Sequence, residues 1–320
     1  MAHLLEKMAY VGVVPWHGLG NQLSANQPIE VWAQQAGMAW NIRESPVSFV
    51  TSDASSDNLD SIGTFPEHKV LFRSDTKAPL SVVSQRFQVV QPSEILEFYR
   101  DLTEVSGFEL ETAGVLRGGR KIWALARTGQ SSTLKGNDVS NAYVLLATAC
   151  DGTLATTAQF TSVRVVCNNT LAVALGARNG AIKVRHSTSF DAQAVKRQLG
   201  ISVSTWSSFM YQMKELSERK VKIREATNYF SRVFSDEEVA DGKANERAMK
   251  KGLALFNGHG KGAEMESSKG TAFGLLNSVT EFVDHERRAR SVDHRLESAW
   301  FGAGARLKEK ALEHALMLIA

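Results

Sequence analysis

Two short turns constrain this chain more than any other feature. Gly118-Gly119 separates the runs FELETAGVL and KIWALAR, and Asp151-Gly152 separates NAYVLLATAC from TLATTAQFTSVRVVC. Gly-Gly and Asp-Gly supply the positive-φ positions that tight hairpins need, and the flanking runs are rich in β-branched and aromatic residues. Consecutive hairpins build an antiparallel sheet, so the middle of the chain reads as a β core. HKVLFRS and LSVVSQRFQVV extend this texture upstream from residue 68.

Helical spacing appears on both sides of that core. Pro28, Ile29, Trp32, Ala33 and Ala36 predict a helix over about 28–37, stopped by Gly37. Ser93 is positioned to cap a helix whose apolar face is Ile95, Leu96, Tyr99 and Leu102. A further helix is expected to begin near Asn168–Thr170, with Leu171 and Leu175 on one face and a stop at Gly176 or Gly180. Beyond 186 the spacing is mostly helical: 190–200, a long stretch at about 203–232, and 304–318. Residues 1–28 read as a structured loop or extended arm carrying Trp16 and His17, and 51–63 and 256–274 read as loops. The expected fold class is α+β, a mostly antiparallel β core with packed helices followed by an α-helical C-terminal region. The expected divisions are 1–67, an N-terminal arm and short helix; 68–186, the α+β core domain; and 187–320, the helical region.

Composition narrows function mainly by exclusion. The 320 residues carry a net charge of +3 and are 43% hydrophobic, which excludes a disordered or collagen-like chain. The two cysteines, Cys150 and Cys167, are too few for a disulfide framework or a four-cysteine zinc site. No two histidines stand at i, i+3 or i, i+4. Phosphate-loop, nucleophile-elbow, zinc-protease and dinucleotide-binding motifs are lacking. No metal or cofactor is therefore expected, and catalysis is not the favoured reading. Without a signal peptide or an apolar run of membrane-spanning length, the expected location is the cytoplasm, with no membrane partner.

Charge is unevenly distributed. Residues 1–180 hold 14 basic and 16 acidic residues, and 181–320 hold 23 and 18. Within the core, Arg117, Arg120 and Lys121 surround the Gly-Gly turn, where guanidinium forks and close-approaching backbone suit phosphate. Arg164 lies inside an apolar strand pattern, and an inward Arg needs a carboxylate, phosphate or carbonyl partner. Asn168, Asn169 and Thr170 follow it and could add polar groups to an anion- or nucleotide-facing site. Lys183 and Arg185 continue the basic character past the core. The competing reading is a solvated turn, a strand Arg facing water, and helix faces with interleaved charge.

The blocks MAHLLEKMAYVGVVPWHGLGNQL, APLSVVSQRFQVVQPSEI, ETAGVLRGGRKIWALAR, DGT…FTSVRVVCNNTLAVAL and SAWFGAGARLKEKALEHAL together resemble the phage/plasmid-like proteins catalogued as domain of unknown function 932. The resemblance implies a bacterial mobile element and DNA maintenance, and it assigns no catalytic residue. The hairpin, hairpin, helix order over 108–176 is also similar in pattern to single-strand annealing proteins. The expectation is thus a DNA-binding protein of a phage or plasmid, favouring single-stranded DNA, acting in annealing or recombination, and assembling as a homo-oligomeric ring or filament. Its phosphate contacts would be Arg117, Arg120, Lys121, Arg164, Asn168, Asn169, Lys183 and Arg185. Two alternatives stay open. One is an enzyme with a site around Asp151, Arg164, Cys167, Asn168 and Asn169, and the other is a protein that engages host defence.

Overall fold

The computed structural model describes residues 5–12, 19–51, 61–166, 169–172, 181–200, 202–235 and 245–320. The elements run β1 (Leu5–Val11), β2 (Asn21–Leu23), α1 (Ile29–Gln35), β3 (Ile42–Thr51), β4 (Ser61–Arg73), β5 (Pro79–Ser84) and α2 (Pro92–Ser106). They continue with β6 (Glu109–Leu116), β7 (Lys121–Thr133), β8 (Val139–Ala149), β9 (Thr156–Arg164), β10 (Asn169–Ala172) and β11 (Ala181–Val184). The helices α3 (Ala192–Gly200), α4 (Ser202–Glu218), α5 (Ile223–Val233), α6 (Glu246–Ala254), α7 (Ala272–Glu281), α8 (Val292–Phe301) and α9 (Ala303–Leu316) close the chain. The fold is α+β, with a mostly antiparallel sheet and helices gathered towards the C-terminus.

The main sheet has the order β10-β9-β8-β7-β6-β1-β2, with β11 sharing the outer edge of β9 with β10. All of its pairings are antiparallel except that of β1 with β2. The meander β6–β9 follows the two predicted turns. Gly118 and Gly119 both adopt positive φ, 68° and 106°, and a Cβ at Gly119 would sit 2.8 Å from the Trp40 ring. That position therefore requires glycine for both conformation and space. A second sheet, β3-β4-β5, lies against the β6–β7 turn, where the Arg73 guanidinium donates to the Gly118 carbonyl.

Both faces of the main sheet are covered. On one, Ala124, Val144, Leu146 and Phe160 pack with Ile95, Tyr99 and Trp206 from the helices. The Tyr99 hydroxyl is within hydrogen-bond distance of the Ala124 and Val144 carbonyls, at 2.8 and 3.0 Å. On the other, Trp123, Leu125 and Leu145 pack with Leu296 and Trp300 of α8. The Trp123 and Trp300 rings meet edge-to-face with centroids 4.9 Å apart.

Several expectations change. α2 begins at Pro92, and its cap is Gln91 rather than Ser93: Glu94 accepts from the Gln91 backbone N–H at 2.7 Å. The Gln91 amide is free to pin Ile42, accepting from its N–H and donating to its carbonyl. No helix starts at Asn169–Ala172; this segment is β10, paired antiparallel with Thr161–Arg164. Leu175, Gly176 and Gly180 lie outside the described residues. The stretch expected as one long helix at 203–232 is divided between α4 and α5. Its break at 219–221 forms backbone hydrogen bonds with 270–272, from Val221 to the Gly270 carbonyl and from Ala272 to the Arg219 carbonyl. β3 and the outer part of β4 occupy sequence that carried no strand signal, because most of their side chains face solvent.

Candidate functional site

The meander places its cations at two opposite ends. One end comprises the close of β6, the start of β7, the close of β8, the start of β9 and the close of β11, by register. Arg117, Arg120, Lys121, Lys183 and Arg185 all belong to it. The other end comprises the start of β8, the close of β9 and the start of β10. Arg164 and Asn169 belong there, with Asn169 paired opposite Arg164. β9 alone spans about 26 Å between the two, at ~3.3 Å per residue.

At the first end the five cations differ in what they can do. Lys121 is buried; its Nζ lies 2.6 Å from Glu297 Oε1 on α8 and 5.8 Å from the Phe301 ring centroid. Arg117 grips the same carboxylate, with Nε 3.0 Å from Oε2 and a terminal nitrogen 2.8 Å from Oε1. Lys121 is thus corrected from a phosphate contact to an interior ion pair, since drawing it out would strip the buried Glu297 carboxylate of its buried partner. Arg120, Lys183 and Arg185 are exposed and form no ion pair with a described residue. Arg120 and β11 are separated by three strand spacings, or about 14 Å. Next to Arg185, His186 fixes the edge: its ring stacks on Phe87 at 4.3 Å and lies between the Gln88 and Leu154 carbonyl oxygens.

At the second end Arg164 is 4% exposed and locked. Its Nε and one terminal nitrogen form a bidentate pair with Asp138 at 2.8 and 2.7 Å. The same terminal nitrogen donates to Ser268 Oγ at 2.9 Å, and the guanidinium lies over Phe273 at 5.2 Å. Ser267 also donates to Asp138. Beside this cluster, Lys308 bridges Asp284 and Thr170 at 2.9 and 2.7 Å, and the Thr170 N–H donates to Asp284. Glu281 receives the Lys261 backbone N–H, while burial raises its carboxyl pKa. Arg164 is therefore corrected: its partner is an internal carboxylate, and it joins the sheet to the loop before α7. Asn168 and Cys167, like Trp16 and His17, lie outside the described residues, as does the Asn169 side chain.

Two residues named for the alternative enzyme site, Asp151 and Arg164, lie at opposite ends of the meander. Asp151 is at the first end, where its carboxylate accepts from Thr153 N–H and Oγ1 at 3.0 and 2.6 Å and closes its own turn. Arg164 is at the second. Cys150 is buried, and burial pushes its thiol up to about 12, away from thiolate chemistry at neutral pH.

Two features carried no sequence signal. A bulge in β6 between Leu110 and Thr112 frees Glu111 to accept from the Tyr143 hydroxyl at 2.9 Å. Burial is the leading cause raising the pKa of both groups. A cleft of about 430 Å³ opens between α1 and α2, where Trp32, Tyr99 and Phe108 meet Asn26 and Arg100. Arg100 is already engaged there by Glu30 and Glu97, at 2.7 Å each. Among the described residues there is no group of His, Cys, Asp and Glu able to hold a metal, and no helix long and apolar enough to cross a membrane.

These features define an α+β protein in which three exposed cations, Arg120, Lys183 and Arg185, share one end of an antiparallel meander without an ion pair to any described residue. Residues 79–300 match the family described as Domain of unknown function (DUF932), and the chain belongs to that family. No curated protein and no solved structure matches the chain.

Proposed function

We infer that the protein binds single-stranded DNA by its phosphate backbone, along the sheet end that carries Arg120, Lys183 and Arg185, with Arg117 at its margin. The supporting observation is that three exposed cations from distant parts of the sequence share that end without an ion pair to any described residue. Phosphate contacts need exposed Lys and Arg and no nucleotide motif. In this reading the protein works in the cytoplasm, in the annealing or recombination steps of a bacterial mobile element. The buried cations Lys121, Arg164 and Lys308 only shape the scaffold. The test is fluorescence anisotropy of a labelled single-stranded oligonucleotide across a salt series. Three neutralised phosphates predict a log–log slope near −2, at about −0.7 per phosphate. The triple change Arg120→Ala, Lys183→Ala, Arg185→Ala should abolish most of that slope. Salt-insensitive binding, or a triple variant indistinguishable from wild type, refutes the reading.

A further inference from the structure

The cleft of about 430 Å³ between α1 and α2 shares no residue with either cation cluster. It is built into the fold. α2 ends where Gly107 turns left-handed at φ 67°, and the Phe108 N–H returns to the Leu102 carbonyl at 3.1 Å. This reversal into β6 sets Phe108 and Glu109 beside the start of α1. Arg100 ties the two helices together, with a terminal nitrogen 2.7 Å from Glu30 and Nε 2.7 Å from Glu97. A preformed cleft of this size, part aromatic and part polar, suits a small organic molecule.

Its polar groups are left unused by the fold. Trp32 lines the cleft and is 2% exposed, yet its indole N–H has no hydrogen-bond partner among the described residues. Unlike the indole N–H groups of Trp123 and Trp300, it is not sealed from solvent. A nearly buried donor of this kind calls for an acceptor brought by a ligand. Glu109 is exposed and lines the same cleft; Arg127 stands opposite it in the β6–β7 register but forms no ion pair with it. The side-chain amides of Asn26 and Gln27 form no hydrogen bond with a described residue, and each can donate or accept.

This set of groups discriminates among occupants. Arg100 is the one cation among the lining residues, and two carboxylates already meet its charge. A phosphate would find no free cation and would be repelled by Glu109. An aliphatic ammonium ion offers only donors and would leave the Trp32 N–H unmet. A flat, uncharged ring with acceptors and donors on its edge satisfies both ends. An edge oxygen or ring nitrogen accepts from Trp32, an amino or imide N–H donates to Glu109, and the ring face lies against Trp32 and Phe108. Nucleobases carry this edge pattern and stack on aromatic side chains.

We propose that the α1–α2 cleft binds a nucleobase or nucleoside that carries no phosphate. The proposal does not rest on the DNA-binding reading, since none of its residues belongs to the cation-bearing sheet end.

Fluorine NMR of the full chain labelled with fluorotryptophan tests it, with Trp32→Phe identifying the Trp32 resonance. Titration with deoxyadenosine, deoxyguanosine, deoxycytidine and thymidine should shift that resonance saturably for at least one of them. The matching monophosphate should bind at least about tenfold more weakly, and deoxyribose should give no shift. Glu109→Gln should weaken nucleoside binding about tenfold and narrow the gap to the monophosphate. Ala25→Phe, at an exposed position lining the cleft, should weaken binding by a similar factor. Both variants should match wild type in circular dichroism, because both side chains are exposed. The triple change Arg120→Ala, Lys183→Ala, Arg185→Ala should leave nucleoside binding intact, which separates the cleft from a phosphate-backbone site. The absence of a saturable shift with every deoxynucleoside, a shift reproduced by deoxyribose, or a monophosphate that binds as tightly as its nucleoside would each overturn the proposal. So would binding untouched by both Glu109→Gln and Ala25→Phe, or binding lost in the triple variant.

Discussion

Arg120 and Arg164 are the same residue type in adjoining hairpins of one sheet, and they do opposite work. Arg120 stands in water at the β6–β7 turn without an ion pair to any described residue. Arg164, at the far end of β9, is enclosed by Asp138, Ser267, Ser268 and Phe273. Enclosure lowers the local dielectric, so a bidentate partner is obligatory there, whereas an exposed guanidinium remains available to an anion. Local pattern identifies a cation in a strand. Which kind it is depends on what the rest of the chain brings over it.

The largest effect should come from breaking the enclosed pair. Asp138→Ala leaves Arg164 buried without its carboxylate and should cost about 3–5 kcal/mol in urea unfolding. A loss under about 1 kcal/mol would mean that the second end is as solvated as the first. Glu297→Ala should be next, at about 2–4 kcal/mol, because it strands buried Lys121 while half-exposed Arg117 can turn to water. Lys121→Met in the same background should recover part of that loss, since it removes the orphaned charge.

pH separates the enclosed groups further. Burial raises the carboxyls of Glu111 and Glu281 above their ordinary value of 4.5. A carboxyl whose folded value is raised binds its proton more tightly in the folded state, so it lowers stability as pH rises from 4.5 through that folded value. Thermal melts of Glu111→Gln should lack this part of the slope, and an unchanged pH profile would show that Glu111 is solvated. The smallest stability effect belongs to the exposed end. Arg120→Ala, Lys183→Ala and Arg185→Ala should each stay within about 0.5 kcal/mol of wild type while weakening nucleic-acid binding. Substantial destabilisation by any of them would show that they are structural after all.

What the sequence revealed follows the same division. The β6–β7 and β8–β9 turns were legible because Gly-Gly and Asp-Gly encode them locally, and α1 and α9 because their apolar spacing is regular. β10 was not: the Asn168-Asn169-Thr170 run carries a helix-cap signal, and pairing with β9 overrides it. The strand pattern shows only that Arg164 needs a partner if it faces inward; Asp138 lies 26 residues earlier, and only the β8–β9 register brings them together. Glu297 is 176 residues from Lys121, beyond any local pattern. β3 and the outer part of β4 carry no signal for the opposite reason, since side chains exposed on both faces leave no alternation to read.

The most direct test of this division is amine acetylation read by mass spectrometry, with and without single-stranded DNA. In the free, folded protein Lys183 should react readily, while Lys121 and Lys308 should not. DNA should protect Lys183 and leave the other two unchanged. Rapid labelling of Lys121 or Lys308 in the folded protein, or undiminished labelling of Lys183 in the bound state, would contradict the assignment of one sheet end to binding and of the buried cations to the scaffold.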